Sequence, residues 1–472
     1  MYYQISYNHT NNRFIQLSFI IERIQQKEIF IQLPAWRPGR YELQNFAKNI
    51  RNFQINDMQG NPVPFEKTTK DRWKVQTDNL QSLVVTYEYF ANQCDAGGSY
   101  LCDEFLYINP VNCMMYVEGR MNETYTLKFN LPDDYILATQ MDIIDKHTCQ
   151  AANFDYLADS PLIASNSLEH HVMNLNDTDT HYNLHIWFQG KHPFDINRLL
   201  DDTKKYAQFQ VKTMGEMPCK DYHFLYMMLD FPFRHGVEHL DSTVIAMGKS
   251  ADQTTEEFYN DLLAISSHEL FHLWNIKRIR PAEMLPYDYT QENYSTLGYV
   301  YEGVTTYLGD LFLYHSQVWS WEQYASSLAS DLQRHYTNSG RMHYSLAESS
   351  WDTWLDGYVQ GVPGRKISIY IEGLIAAWVA DVMIKESSQH KFTICHVMHA
   401  LYHDFYKNGK GYTTHDYRQL LERFSGVSFE KYFQELINGR GCFQKWIDFV
   451  AIHNDIIISF DSQTNLLTLN KK

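Results

Sequence analysis

The sequence predicts an α+β protein of several domains, and three observations carry that prediction. The first 190 residues read as short strands, nearly everything from Leu308 to about Val450 has helical spacing, and the tail returns to strands. A chain of 472 residues exceeds one ordinary domain, and length alone suggests about three. The expected layout is an antiparallel β-sandwich over residues 1–190, an α/β region over 191–310, a mostly α-helical region over 311–450 and a β-hairpin over 451–472.

Each element has its own signal. In the first region, RFIQLSFIIERI, EIFIQLPAW, WKVQT, SLVVTYEYF and YTLKFNLP are rich in β-branched and aromatic residues. Turn clusters such as MQGNP and LPDDY separate them, which is the pattern of strands in a sandwich. The stretch INRLLDDTKKYAQFQVKTMGEM then places apolar residues at helical spacing, and strand-like YHFLYMMLDFPF and STVIAMGK follow. A long helix should begin near Thr254, where TTEE puts Glu257 three residues on, as in a capping box. Phe258, Leu262, Ile265, Leu270 and Leu273 give that helix one apolar face. The tail DIIISFDSQTNLLTLN reads as a hairpin.

Composition excludes several classes of function. Hydrophobic residues make up 44% and charged residues 20%, an ordinary globular balance. The formal net charge of −16 disfavours nucleic acid, whose phosphates must be neutralised by Lys and Arg. The seven Cys are scattered, odd in number and never spaced CxxC, so neither a disulfide scaffold nor a Cys-ligated zinc site is expected. The N-terminal MYYQISYNHT lacks the basic and apolar runs of a signal peptide, and no 18-residue apolar stretch occurs, so no membrane span is expected. The expected location is cytoplasmic, with secretion open if a leader has been removed. No feature of the sequence sets an oligomeric state.

The chemistry concentrates in SSHELFHLWNIKRIRP, residues 266–281. His268 and His272 stand four residues apart on the expected helix, so both imidazoles can face one ion. Zinc accepts neutral imidazole at about 2.0–2.1 Å and, in catalytic sites, takes three protein ligands and keeps one position open. Glu269 lies between them as a proton acceptor for an attacking water. A helix carrying two satisfied core histidines would show the same five residues, so a third ligand is needed. GYVYEGVTTYLGDLFL offers Glu302, thirty residues after His272. Spacing alone leaves Glu302 open, because the motif fixes only the two histidines and the base.

HELFHLWNIKRIRPAEMLPYDY followed by YEGVTTYLGD resembles the glycyl aminopeptidase family of gluzincin zinc metallopeptidases. LPAWRPGRYELQNFAKNI resembles that family's Trp-x-Pro-Gly-x-Tyr segment, and DYLADSPL its Asp-Ser-Pro segment. The resemblance covers nearly the whole chain. It implies a thermolysin-like α/β catalytic domain, one Zn2+ per chain held by His268, His272 and Glu302, and Glu269 as general base. ISIYIEGLIAAW resembles the Tyr-x-x-Gly segment of related gluzincins, which implies that the Tyr370 hydroxyl meets the oxyanion; Glu372 stands where relatives often carry Lys. FRHGVEHLDST resembles the family's Gly-x-Glu-His segment. That implies Glu238 as the binder of the substrate's α-ammonium and Gly236 as a point of close backbone approach. Val237 then stands where it would shape the subsite for the first side chain, and STVIAMGK could pair with an extended peptide.

Other candidates come from position. Arg278 and Arg280 could bind a peptide carbonyl or carboxylate, or complement a helix terminus. Asp310, two turns beyond Glu302, could orient a ligand histidine. His315, His335 and His343 read as structural or surface residues.

Together these readings lead to the expectation of a zinc aminopeptidase that takes peptides with a free N-terminus and prefers Gly or Ala first. The alternatives are a zinc endopeptidase of the same fold and a non-enzymatic peptide-binding protein on a retained peptidase fold. Relatives often continue into a C-terminal PDZ domain, for which too few residues follow the helices here.

Overall fold

The structure, a computed structural model, describes residues 1–176, 181–461 and 466–472. Contacts group the chain into two compact units. Unit 1 comprises Met1–Pro193, Cys219–Thr254 and Tyr289–Glu292, and unit 2 comprises Phe194–Pro218, Thr255–Asp288 and Asn293–Lys472. The units therefore interleave along the chain, whereas the sequence reading divides it into four consecutive segments. The reason is hydrogen bonding. Strand Asp221–Met228 pairs with His181–Gln189 in unit 1, while the intervening helix Ile196–Met214 ties to the metal-motif helix in unit 2 through Gln210, whose amide donates to the Ser267 carbonyl at 2.9 Å.

In unit 1 a seven-stranded sheet runs in the order Asp142–Asp145, Thr148–Ala151, Tyr125–Phe129, Tyr2–Ser6, Phe14–Glu22, Ser82–Phe90, Ile50–Asp57. Its pairings are antiparallel except one, Tyr2–Ser6 lying parallel to Tyr125–Phe129. Along Phe14–Glu22 the residues Ile15, Leu17, Phe19 and Ile21 are buried and their neighbours less so, the period-two signature of a half-buried strand. Two four-stranded antiparallel sheets accompany it. One is built from Tyr116–Val117, Glu28–Gln32, Arg72–Gln76 and Phe65–Thr69, the other from Ile136–Thr139, Leu162–Ser165, Phe105–Ile108 and Tyr100–Leu101.

A mixed five-stranded sheet completes unit 1: β1 (Glu169–Asn176), β2 (His181–Gln189), β3 (Asp221–Met228), β4 (Phe233–Glu238) and β5 (Ser242–Gly248), in the order β1-β2-β3-β5-β4. β2, β3 and β5 run parallel, and β1 and β4 close the edges antiparallel. Every residue of β5 is buried, as expected of a central strand covered on both faces.

Unit 2 is helical: α1 (Ile196–Met214), α2 (Thr255–Phe271), α3 (Thr305–His315), α4 (Trp321–Thr337) and α5 (Ile371–Ser387) surround the site, with further helices beyond. Asp195 caps α1 by accepting the Asn197 N–H, and Gly215 ends it with φ +89°. α2 begins one residue after Thr254, and its face of Phe258, Leu262, Ile265 and Leu270 is buried. The tail forms a two-stranded hairpin, Ile456–Asp461 with Leu466–Lys471; its connection falls outside the described residues. The layout is thus the expected mixture of an N-terminal antiparallel β region, a helical region and a terminal hairpin. No described helix is long and apolar enough to cross a membrane.

Candidate metal centre

In unit 2, α2 ends at Phe271, but the His272 N–H still donates to the His268 carbonyl at 3.2 Å. Helical geometry therefore persists through the motif and puts both rings on one side. Their Nε2 atoms are 3.0 Å apart with the rings crossed at 84°. Glu302 meets them, its Oε2 standing 3.4 Å from His272 Nε2 and 3.8 Å from His268 Nε2. Tetrahedral ligands at about 2.05 Å from zinc would be about 3.4 Å from one another. The three separations bracket that value, so two neutral imidazoles and one buried carboxylate form a donor set that fits the ion. A Glu269 carboxylate oxygen lies within 4.8 Å of a His272 ring nitrogen, which brings the expected base to the same centre.

Glu302 arrives on an irregular element. Tyr299–Val304 forms a π-helical turn that runs directly into α3, a widening often found at functional sites. Asn275 stabilises it. Its side-chain amide donates to the Val300 carbonyl at 3.0 Å and to Thr305 Oγ1 at 2.9 Å, and its backbone carbonyl accepts from His272 Nδ1 at 2.8 Å. One residue thus braces the turn that carries the carboxylate and leaves the His272 Nε2 lone pair for a metal. Ser267 Oγ donates to the Gly309 carbonyl at 2.7 Å, tying α2 to α3.

Tyr370 stands at the start of α5, its ring centroid 6.4 Å from that of His268. The approach depends on two glycines: a Cβ added at Gly373 would lie 2.7 Å from the Gly303 Cα, so only bare backbone lets α5 rest against the Glu302 turn. Ser368 Oγ accepts the N–H groups of Tyr370 and Ile371. Glu372, the departure from the family pattern, accepts the Ser368 N–H at 2.7 Å and pairs with His335 Nδ1 at 2.9 Å, both side chains buried. His335 and Glu372 therefore hold the turn that carries Tyr370.

The weaker candidates are placed as follows. Asp310 accepts from Ser327 Oγ at 2.6 Å, on a helix that passes close to the His268 backbone at Gly309. The Arg280 guanidinium lies 4.1 Å over the Tyr287 ring, and Arg278 donates to the Leu273 carbonyl near the end of α2. His315 stacks on Phe209, and His343 is exposed.

In unit 1, Glu238 ends edge strand β4 and is only 5% exposed. Its Oε1 has no hydrogen-bond partner among the described residues. The Trp36–Tyr41 turn seats the carboxylate: Gly39 has φ +84°, and a Cβ there would stand 2.7 Å from Glu238 Oε2. Asp159, from the Asp-Ser-Pro segment, pairs with the next residue, His239, at 3.0 Å in a buried contact. Burial first, and then the Arg37 guanidinium, push His235 down to about 4, so its imidazole is neutral at pH 7.

Two expectations are corrected here. Val237 does not point the same way as Glu238; strand alternation turns its side chain into the core with Leu225, Met227, Val244 and Ala246. β5, the strand STVIAMGK, is paired on both sides by β3 and β4 and has no edge to offer a peptide. The sheet edge beside β5 belongs to β4, which carries Gly236 and Glu238.

The sequence reading missed Asn275, the seat at Gly39 and the Asp159–His239 pair. A polar Asn three residues past the second histidine, within an otherwise apolar run, was the available signal for the first.

Family models of the Peptidase M61 N-terminal domain and of M61 glycyl aminopeptidase match residues 2–166 and 261–376. Among solved structures, an aminopeptidase N family protein from Idiomarina loihiensis is similar at 25% identity and a TM-score of 0.89, covering 98% of this chain and 79% of that one. An M1 zinc metallopeptidase from Deinococcus radiodurans shares the fold at 13% identity and a TM-score of 0.57, with 93% of each chain covered. A search of the curated proteins returned no match.

Proposed function

Because the chain belongs to the M61 glycyl aminopeptidase family, we propose that it is a zinc-dependent aminopeptidase that removes the first residue of peptides and prefers Gly or Ala there. The observation that carries this reading is the meeting of His268, His272 and Glu302 at separations of 3.0–3.8 Å. A scaffold has no use for three ligand atoms so placed, nor for an acid at Glu269 beside them.

His268 and His272 would hold zinc through Nε2 and Glu302 through a carboxylate oxygen. Zinc, when bound, supplies Lewis acidity toward the peptide carbonyl and lowers the pKa of water. Glu269 takes the proton of the attacking water and passes it to the leaving amine. The Tyr370 hydroxyl donates to the carbonyl oxygen as negative charge builds on it. Glu238 binds the α-ammonium: its buried Oε1, without a hydrogen-bond partner among the described residues, gains most from a cation, since burial without one is costly. Gly236 lets the substrate backbone approach β4, Arg280 binds a carbonyl or carboxylate farther along the peptide, and Asp310 steadies His268.

The test compares zinc-loaded protein acting on alanyl-alanine amide and on its N-acetylated form. Cleavage of the free peptide alone is the expected result. Equal cleavage of both forms would show an endopeptidase, and zinc binding without turnover of either would show a peptide-binding protein.

A further inference from the structure

Arg37 fills the first variable position of the Trp-x-Pro-Gly-x-Tyr segment and is only 1% exposed in unit 1. An arginine is almost never buried so fully unless it is paired. The hydrogen bond this one makes runs from Nη1 to the Pro38 carbonyl at 3.3 Å, and its Nε has no partner among the described residues.

Its guanidinium lies instead on backbone. A Cβ added at Gly97 would collide with Arg37 Nη2, Cζ and Nε together, so the planar face of the group covers that glycine. The loop beneath, residues 93–99, is held at several points. Asp95 accepts the Gly97 N–H at 2.9 Å and the Gln93 side-chain amide at 2.7 Å. Asn112 Nδ2 donates to the Gly97 carbonyl at 3.0 Å, and the Tyr107 hydroxyl to the Ala96 carbonyl at 2.6 Å. Asp95 also stands 3.9 Å from Nδ1 of His235, three residues before Glu238 on β4.

The Arg37 backbone opens the turn that carries Gly39. Its carbonyl accepts the Arg40 N–H at 3.2 Å, with Pro38 second and Gly39 third at φ +84°, the residues of a type II turn. Glu238 Oε2 rests where a Gly39 Cβ would crowd it. Two supports of the Glu238 carboxylate therefore meet at one loop. The turn reaches it through Arg37 on Gly97, and the strand through His235 beside Asp95.

We propose that Arg37 is a positioning residue for the α-ammonium site: stacked on Gly97, it fixes the Gly39 turn against Glu238 and so holds the carboxylate where the substrate's amine meets it. This rests on the reading of Glu238 given above. Arg37 itself does not touch substrate. Holding a site in its bound arrangement raises affinity for the group that the site binds. Charge alone predicts the opposite sign, because removing a cation favours a nearby ammonium. A loss of amine affinity on removing Arg37 therefore reports geometry.

The experiment measures, by calorimetry on zinc-loaded protein, the affinity for alanine hydroxamate and for propionohydroxamate, which differ only in the amine. Wild-type protein should bind the first at least tenfold more tightly, and Glu238→Gln should abolish that preference. Arg37→Gln should weaken alanine hydroxamate about tenfold, the lower end of what outer supports of a site contribute, and leave propionohydroxamate within about twofold. Gly97→Ala, which displaces the guanidinium but keeps its charge, should do the same, and it carries the test if Arg37→Gln fails to fold. In the Glu238→Gln background, Arg37→Gln should have no further effect. Equal weakening of both compounds, an unchanged alanine hydroxamate, or a loss that persists without Glu238 would overturn the role of Arg37. If wild-type protein shows no preference for the amine, or Glu238→Gln keeps it, the reading of Glu238 fails first.

Discussion

Two of the histidine clusters among the described residues differ in what their nitrogens do. In unit 2, the nitrogens of His268 and His272 and an oxygen of Glu302 converge on one point. On the mixed sheet of unit 1, His170, His185 and His223 form a ladder. The His185 and His223 rings stack at 4.4 Å, His170 stacks on Trp187 at 3.5 Å, and His170 Nε2 meets His185 Nδ1 at 3.1 Å. Two further nitrogens of the ladder turn to neighbours: His185 Nε2 to Asp221 at 3.1 Å, and His223 Nδ1 accepts from Trp187 Nε1 at 3.3 Å. Among the described residues, no three ligand atoms of the ladder gather as those of the centre do. Strands spaced about 4.8 Å apart lay rings face to face, whereas one helical turn aims two rings at a common point. Convergence, not the density of histidines, separates a candidate metal site from a packed surface.

The largest way to sharpen that contrast is to remove chemistry without removing the ligands. Glu269→Gln should keep zinc and lose roughly 10³-fold in kcat, measured on alanyl amides with metal content determined in parallel. Tyr370→Phe should lower kcat by about 10²–10³-fold with zinc retained, and the same assay reads it. A smaller effect tests the bracing of the centre. Asn275→Ala should weaken zinc about 10–100-fold in chelator competition, while His185→Ala in the ladder should leave zinc affinity unchanged; a loss in the ladder variant would break the comparison.

The smallest effect concerns stability. Burial first, and then His185, push His223 down to about 3 and His170 to about 4. Both sit below the ordinary value near 6.5, so between roughly pH 4 and 6.5 the unfolded chain binds protons that the folded chain does not. Stability contributed by these neutral rings is then full above pH 6.5 and falls as pH drops toward 4. His223→Gln should reduce the difference in unfolding free energy between pH 7 and pH 5 by about 2 kcal/mol, read from urea titrations at the two pH values.

Much of the centre was legible because it is local. His268, Glu269 and His272 share one helix turn, and their relation follows from helical geometry alone. Glu302 required a resemblance, because its reach depends on a π-turn that a 3.6-residue period does not announce. Tyr370 likewise depends on a glycine-to-glycine contact between segments seventy residues apart in sequence. Val237 was misread for want of one fact, the face of β4, which strand alternation settles only once Glu238 is placed. STVIAMGK was correctly seen as a strand, but its central position is set by hydrogen bonding to β3, which lies earlier in the chain. The grouping into two interleaved units could not be read for the same reason, since α1 and its flanking strands take different partners.

Metal content bears on the central claim most directly. Protein loaded with zinc, dialysed and analysed by mass spectrometry should carry one zinc per chain, and Glu302→Gln treated identically should carry almost none. A wild-type protein that retains no zinc, or a Glu302→Gln variant that retains a full equivalent, would contradict the account.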